Sequence, residues 1–384
     1  MFTAEEFLIL CSKECYEAVK ANIERKPTDI ALDRRIPHAS IVATQVKNLQ
    51  KCRAKLPSYF AVQAIVPTLA YEQSSSEECA LRKPLSGESG LDLTCGLGVD
   101  SLALSRHFNS VVTIERDEIV ASVARENFKR LGVDNIEVIC TSAEEYLAKC
   151  DRHFDWCFVD PDRRGESGEK MVRLEDCSPN IVALMPQIRE KAERVCVKCS
   201  PLFDTAEAFR KFSNCSVETV SLGGECKEVN IYIEGREPQL TATAIGVGSF
   251  TVEQKSLESY NFAPLPTSFD SYRYITLPDV ALVHSRLTAA AFTGKADVWS
   301  NSGVALSIEP QQDVVGRTFG IDAIYEIGNK ELKKILKGQR IEIFRRDFPL
   351  SNSEICRKFS VKEGADSRWC FTRIGAKLLA IKMR

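Results

Sequence analysis

Hydrophobic and polar positions change rhythm three times along the chain. Across residues 1–80, "TAEEFLILCSKECYEAVKANIE" and "ASIVATQVKNLQKCRAKL" place apolar residues at helical spacing, which predicts a helical N-terminal region. From Gly90 to about Cys199, short strand-like runs alternate with helical ones. The predicted strands are "GLDLTC", "SVVTIER", "IEVICTS", "FDWCFVDP" and "RVCVKCSP". Between them come "GVDSLALSRHF", "EIVASVARENFKRLG", "AEEYLAKC" and "SPNIVALMPQIREKAE". This alternation implies right-handed crossovers and a parallel, doubly wound α/β sheet covered on both faces. "SVETVSLGGECKEVNIYIEG" predicts two strands around a Gly-Gly turn that close the sheet antiparallel. After the linker-like "SYNFAPLPTSFDSYRY", the last hundred residues mix strands ("RIEIFRRDF", "RWCFTRI", "KLLAIKM") with helices ("VALVHSRLTAAAF", "NKELKKILKG", "SNSEICRKF").

Composition narrows the class. With 384 residues, 44% hydrophobic and 27% charged, the chain has the profile of a soluble globular protein of two or three domains. No apolar run reaches about 18 residues, so no membrane span is expected. The N-terminus carries acids ahead of a short apolar patch, the reverse of a secretory signal. Fifteen cysteines without regular spacing predict reduced thiols and a cytoplasmic protein. Cys196 and Cys199 are three apart on a predicted strand and so face opposite sides, poor geometry for joint zinc ligation, and no metal is expected. Net charge is −2, but residues 331–384 hold 14 Lys/Arg against 6 Asp/Glu, a local +8 that leaves −10 for the rest. A basic terminal module points to a polyanionic partner, most simply RNA; a solvated lysine-rich face explains the charge about as well.

The first predicted strand runs into "LDLTCGLGVDSLALS". Gly96 and Gly98 let the backbone turn tightly and approach a ligand. A dinucleotide loop would want a third glycine where Ser101 stands, and acids at Asp92 and Asp100 would repel a pyrophosphate. They would suit a ligand carrying an ammonium and a sulfonium. Glu115 ends the second strand, where a carboxylate can take both hydroxyls of a ribose, with Arg116 next to it. The third strand ends in Cys140-Thr141-Ser142-Ala143-Glu144, a polar edge for an adenine ring. Gln73 and Ser75, just before the first strand, could bind a ligand carboxylate or form a polar turn.

Together these positions resemble the S-adenosylmethionine site of class I methyltransferases. The resemblance extends through "YEQSSSEECALRK", "VDPDRR", "KCSPLFD" and "GGECKEV", in that order, to the THUMP-like-domain-containing group of these enzymes. It implies a Rossmann-like methyltransferase fold with S-adenosyl-L-methionine bound by Asp92, Cys95, Gly96, Gly98, Asp100, Glu115, Arg116, Ser142 and Ala143. It also implies an RNA substrate, with a small-molecule methyltransferase or a non-catalytic RNA-binding protein as alternatives. The implied bounds are 1–80 (helical), 81–262 (cofactor-binding), 263–322 (ferredoxin-like) and 323–384 (THUMP-like, basic).

The fourth strand ends in "WCFVDPDRRGESGE", which admits three readings: a metal pair, a substrate jaw or a charged loop. In an open α/β sheet, ligands bind beyond the carboxyl ends of the strands, which makes Asp160 and Pro161 candidate contacts to the reacting atom. Asp162, Arg163, Arg164 and Lys198 are candidate substrate contacts, and Gly165 and Gly168 suggest a loop that orders on binding. Asp-Pro-x-Arg is similar to RNA pyrimidine C5 methyltransferases, in which a cysteine after the fifth strand is the nucleophile. The matching stretch here is Lys198-Cys199-Ser200-Pro201, and a small residue closing a strand is the stronger reading of Cys199. Tyr59 and Phe60, after a basic helix, could flank an RNA path or staple into the core. Glu225, Lys227 and Glu228 could shape a cleft rim or cap a hairpin.

Overall fold

The structure is a computed structural model that describes residues 2–162 and 173–384. It forms two compact units, Met1–Cys199 with Ile231–Gly235, and Ser200–Asn230 with Arg236–Arg384.

The first unit opens with helices. The first stretch of helical spacing forms two helices, Ala4–Cys11 and Lys13–Asn22. Ser12 breaks them: its backbone is extended, and its hydroxyl accepts the Cys15 N–H as an N-cap. Helix Ala39–Lys55 buries Val42, Val46, Leu49 and Cys52. Its Gln45 and Asn48 amides donate to the carbonyls of Ala64 and Val66, which ties down the chain leading to the sheet.

Five parallel strands follow: β1 (Gly87–Asp92), β2 (Phe108–Glu115), β3 (Ile136–Cys140), β4 (Phe154–Val159) and β5 (Ala192–Cys199). Their order is β3-β2-β1-β4-β5, so the chain reverses direction across the sheet at β1, and β1 lies between β2 and β4. The apolar runs fill both faces: Leu91, Val112, Trp156, Phe158 and Val197 are buried, and burying one such side chain is worth about 1.5–3 kcal/mol. β1 stops at Asp92 rather than Cys95, because the Asp92 carboxylate accepts the Thr94 N–H at 2.9 Å and turns the chain. β5 ends at Cys199, ahead of Pro201, which has no N–H for a ladder.

The second unit contains β6 (Cys215–Leu222) and the first part of β7 (Glu225–Ile233), joined by Gly223 and Gly224, both with positive φ, as a tight hairpin requires. β8 (Gln239–Ala244) runs parallel to β6 and antiparallel to β9 (Gly248–Glu253). An eight-stranded sheet holds β10 (Tyr274–Pro278), β11 (Asp297–Val298), β12 (Ala305–Ser307), β13 (Gly316–Glu326), β14 (Arg340–Arg346), β15 (Lys362–Glu363), β16 (Ser367–Ile374) and β17 (Lys377–Met383). β13 passes through the expected 322/323 boundary and pairs with β10 through Gly316–Gly320 and with β17 through Ile321–Glu326. Helices Lys330–Leu336 and Asn352–Phe359 lay Leu332, Leu336, Ile355 and Phe359 over Trp369 and Phe371. All fifteen cysteines are free thiols. Among the described residues, no helix is long and apolar enough to cross a membrane.

Candidate active site

The loop after β1 is pinned from several sides. Gly96 and Gly98 have φ of +52° and +86°, which glycine adopts without steric cost. The Gly96 N–H donates to Glu115 Oε2 at 2.9 Å, which joins the loop to the end of β2. Glu115 Oε1 accepts the Asp117 N–H at 3.0 Å. From below, the fully buried Tyr59 donates its hydroxyl to the Leu97 carbonyl at 3.0 Å. A Cβ built on Gly96 would meet no atom within 4 Å, so space is open in front of this turn. Glu115 and the open turn could hold the ribose end of S-adenosylmethionine.

Asp92 is enclosed. Ser101 Oγ donates to its Oδ2 at 2.5 Å and also lies 2.9 Å from Thr113 Oγ1. Burial pushes the Asp92 carboxyl up to about 7, against the hydrogen bonds from Ser101 and Thr94. A carboxyl raised in the folded state keeps a proton that the unfolded chain has already lost, so stability falls as pH rises from about 4 to about 7. Over that window the parent is expected to lose a few kcal/mol more than Asp92→Asn, a difference readable in urea unfolding at pH 4.5, 6 and 7.5. Parallel curves for the two proteins would contradict it.

A charged cluster closes the other side. Asp100 accepts from Ser75 Oγ at 2.6 Å and pairs with Lys83 at 2.8 Å and Lys198 at 3.8 Å. Burial alone would raise the Asp100 carboxyl, but the two lysines outweigh it and hold the group at about 2. Lys198, at the end of β5, also donates to Ser75 Oγ at 2.7 Å and contacts Asp160 Oδ2. Lys83 lies 5.5 Å from the centroid of the Phe158 ring. Asp160 keeps about a quarter of its side chain exposed, and burial raises its carboxyl against the pull of Lys198. Its Oδ1 makes no hydrogen bond among the described residues. Thr94 links the two halves: its Oγ1 accepts the Asp160 N–H at 2.7 Å. The site therefore offers an open glycine turn, a partly exposed carboxylate at Asp160, and two lysines whose charge two aspartates balance.

The other expected residues fall as follows. Cys95 is buried, and its N–H donates to the Ile114 carbonyl. Burial, the largest effect, drives its thiol well above the usual range. Arg116 donates to Ser178 Oγ at 3.0 Å. Ser142 caps helix Ala143–Lys149 by accepting the Glu145 N–H, and Ala143 is buried beneath it. Ser75 is inside the charged cluster, whereas Gln73 is exposed at the end of helix Thr68–Gln73. Pro161 is buried, and Asp162 exchanges two backbone hydrogen bonds with Ser178. Cys199 is buried at the end of β5. Arg163, Arg164, Gly165 and Gly168 lie outside the described residues. Glu225, Lys227 and Glu228 are on β7 in the second unit, where Lys227 pairs with Glu225. Phe60 carries the Arg53 guanidinium 4.8 Å from its ring centroid.

Sequence reasoning passed over Lys83, Thr94, Ser101 and Thr113. The available signal was Lys83 itself, a cation in the otherwise compact run "CALRKPL" that burial would oblige to find an acid.

Strand order, glycine turn and strand-end acids together define a class I methyltransferase fold. The regions that match family descriptions agree: residues 316–383 match "THUMP domain-like" and residues 75–175 match "Conserved hypothetical protein 95". The chain thus combines a region similar to Conserved hypothetical protein 95 with a C-terminal region similar to a THUMP domain. A crystal structure from Porphyromonas gingivalis W83, described as a candidate methyltransferase, superposes with TM-score 0.84 at 24% identity, covering 100% of this chain and 99% of that one. An uncharacterized RNA methyltransferase of Thermosynechococcus vestitus is 30% identical over 26% of this chain and 22% of its own length. A tRNA/tmRNA (uracil-C(5))-methyltransferase of Sodalis glossinidius is 29% identical over 29% of this chain and 30% of its own. The chain thus spans less than a third of the length of either curated relative.

Proposed function

We propose that this chain transfers the methyl group of S-adenosyl-L-methionine to an RNA base. The observation that carries this reading is the junction of the glycine turn with the end of β4, where Thr94 Oγ1 accepts the Asp160 N–H, together with the open space at Gly96. The cofactor supplies an electrophilic methyl. Glu115 and the Gly96 turn would hold its ribose, and Ser75 with Lys198 suits its carboxylate end. Asp160 would accept a hydrogen bond from the target base and orient it, with Lys198 lowering its carboxyl against the burial that raises it. Rate would come from orientation and electrostatics.

RNA is favoured over a small molecule by the basic module. Lys333, Lys334, Lys337, Arg340, Arg345, Arg357, Lys358 and Lys362 are exposed and have no acid within 4 Å among the described residues. Phosphate contacts by such groups make binding fall steeply with salt.

The test is tritiated methyl transfer to total RNA from a strain lacking the protein, followed by nucleoside identification. Labelled RNA is expected, and Asp160→Asn is expected to lower transfer by roughly 100-fold with cofactor binding retained. Absence of cofactor binding by the folded chain would overturn the reading. A covalent route through Cys199 is the second reading, favoured by the uracil-C(5) relative. Against it, the Lys198 ammonium is engaged by Asp160, Asp100 and Ser75, which leaves it poorly placed to stabilise a thiolate. Cys199→Ser is therefore expected to keep transfer within a few-fold; complete loss, with cofactor still bound, would establish the covalent route.

A further inference from the structure

The charged cluster at the strand ends holds one cation that lies too deep to touch a substrate. Lys83 follows helix Glu77–Leu81, and only 3% of its side chain is exposed. Burying an ammonium is unfavourable unless an acid faces it, and Lys83 Nζ stands 2.8 Å from Asp100 Oδ1.

The donors around Asp100 run in one direction. Lys83 takes Oδ1, and Ser75 gives its single hydroxyl proton to Oδ2 at 2.6 Å. Lys198 donates to Ser75 Oγ at 2.7 Å and reaches on to Asp160 Oδ2. Lys198 thus stands between two acids, in contact with Asp160 and 3.8 Å from Asp100 Oδ2. Lys83 decides between them. With Lys83 in place, both Asp100 oxygens have a close donor and Lys198 is left to Asp160. Without it, Asp100, with 13% of its side chain exposed, would carry its charge with no ammonium in contact. Its other cation among the described residues is Lys198, and a shift of about 1 Å would bring that group to hydrogen-bond distance.

We propose that Lys83 is a positioning residue for methyl transfer: by occupying Asp100 it reserves the Lys198 ammonium for Asp160. The proposal rests on the role given to Asp160 above and adds a residue that touches neither substrate nor cofactor. The charged groups that act on Asp160 come from three elements: Lys198 at the end of β5, Asp100 in helix Val99–Leu104, and Lys83. Burial raises the Asp160 carboxyl, Lys198 lowers it, Asp100 raises it and Lys83 lowers it. Loss of Lys83 removes one pull and hands Lys198 to Asp100, so Asp160 takes up its proton at higher pH. Asp100→Asn has the opposite sign, because a push is gone and Lys198 stays on Asp160.

The experiment uses the full chain as Lys83→Met, Asp100→Asn and the double variant, with thermal melting as the folding control. Aspartate is isotope-labelled at its carboxyl carbon for NMR, and the signal missing from Asp160→Asn is that of Asp160. Its titration midpoint is expected to rise by about one pH unit in Lys83→Met, to fall in Asp100→Asn, and to return near the parent in the double variant. The acid limb of methyl transfer to RNA follows the same order. Lys83→Met therefore loses roughly tenfold on that limb and recovers at high pH, which a merely structural defect would not do. A midpoint unchanged in both single variants refutes the positioning role and leaves the methyltransferase reading intact. Midpoints that move as expected in a parent that transfers no methyl uphold the Lys83 network and overturn the transfer reading. If Lys83→Met does not fold, Asp100→Asn decides alone, and a midpoint that stays or rises overturns the proposal.

Discussion

Lys198→Met is expected to lower the unfolding free energy by about 3 kcal/mol at pH 8. The ammonium contacts Asp160 and Ser75 and lies 3.8 Å from Asp100, and only 10% of its side chain is exposed. Removing it leaves a half-enclosed Asp160 without its main cation and Asp100 with Lys83 alone. Breaking one side of an enclosed pair costs more than the pair contributes, because the remaining charge has lost its water as well as its partner. The effect also has a direction in pH. Burial already raises the Asp160 carboxyl, and without Lys198 it rises further above its unfolded value. The folded variant then holds a proton that the unfolded chain releases, so the loss grows from about pH 4 towards neutrality and shrinks on acidification. Urea unfolding of parent and variant at pH 5 and pH 8 measures both terms. A loss below about 1 kcal/mol at pH 8, or one equal at both pH values, would show that the cluster is not an enclosed charge network.

Gly98→Ala is the second large effect, and Gly96→Ala is its control. At Gly98 a Cβ would fall 2.5 Å from Cζ of Phe128, a ring buried in the core with Leu97 and Val99, on a backbone at φ +86°. Backbone strain and overpacking each cost about 1–3 kcal/mol, so a loss of about 3 kcal/mol is expected. At Gly96 the new methyl would meet nothing within 4 Å, and only the left-handed backbone, worth about 1 kcal/mol, opposes it. That methyl would instead enter the space assigned to the cofactor. Gly98→Ala should therefore act chiefly on unfolding, and Gly96→Ala chiefly on S-adenosylmethionine affinity by calorimetry. Unchanged affinity in a folded Gly96→Ala protein would move the cofactor away from this turn.

The elements were legible because their signals are local. Short apolar runs alternating with helical ones marked β1 to β5 within a few residues, and Gly223-Gly224 marked the hairpin between β6 and β7. Boundaries were less legible where a single side chain redirected the backbone: Ser12 caps a new helix within one stretch of helical spacing, and Asp92 turns β1 three residues early. At the site, Gly96, Glu115 and Asp160 could be chosen because each stands at a strand end. Their protonation and partners could not. Asp92 and Asp100 read alike as free loop acids, yet one is a carboxyl raised by burial and held by Ser101 and the other an ionised carboxylate between two lysines.

By itself, then, the sequence determined the order of strands and helices, the glycine turn, the strand-end acids and the basic terminal module, since each is written in neighbouring residues. Only the tertiary structure decided that Ser75, Lys83, Asp100, Asp160 and Lys198 form one cluster. The reason is physical: β1 lies between β2 and β4 through hydrogen-bonded register, and no spacing along the chain records which side chains that register brings within reach.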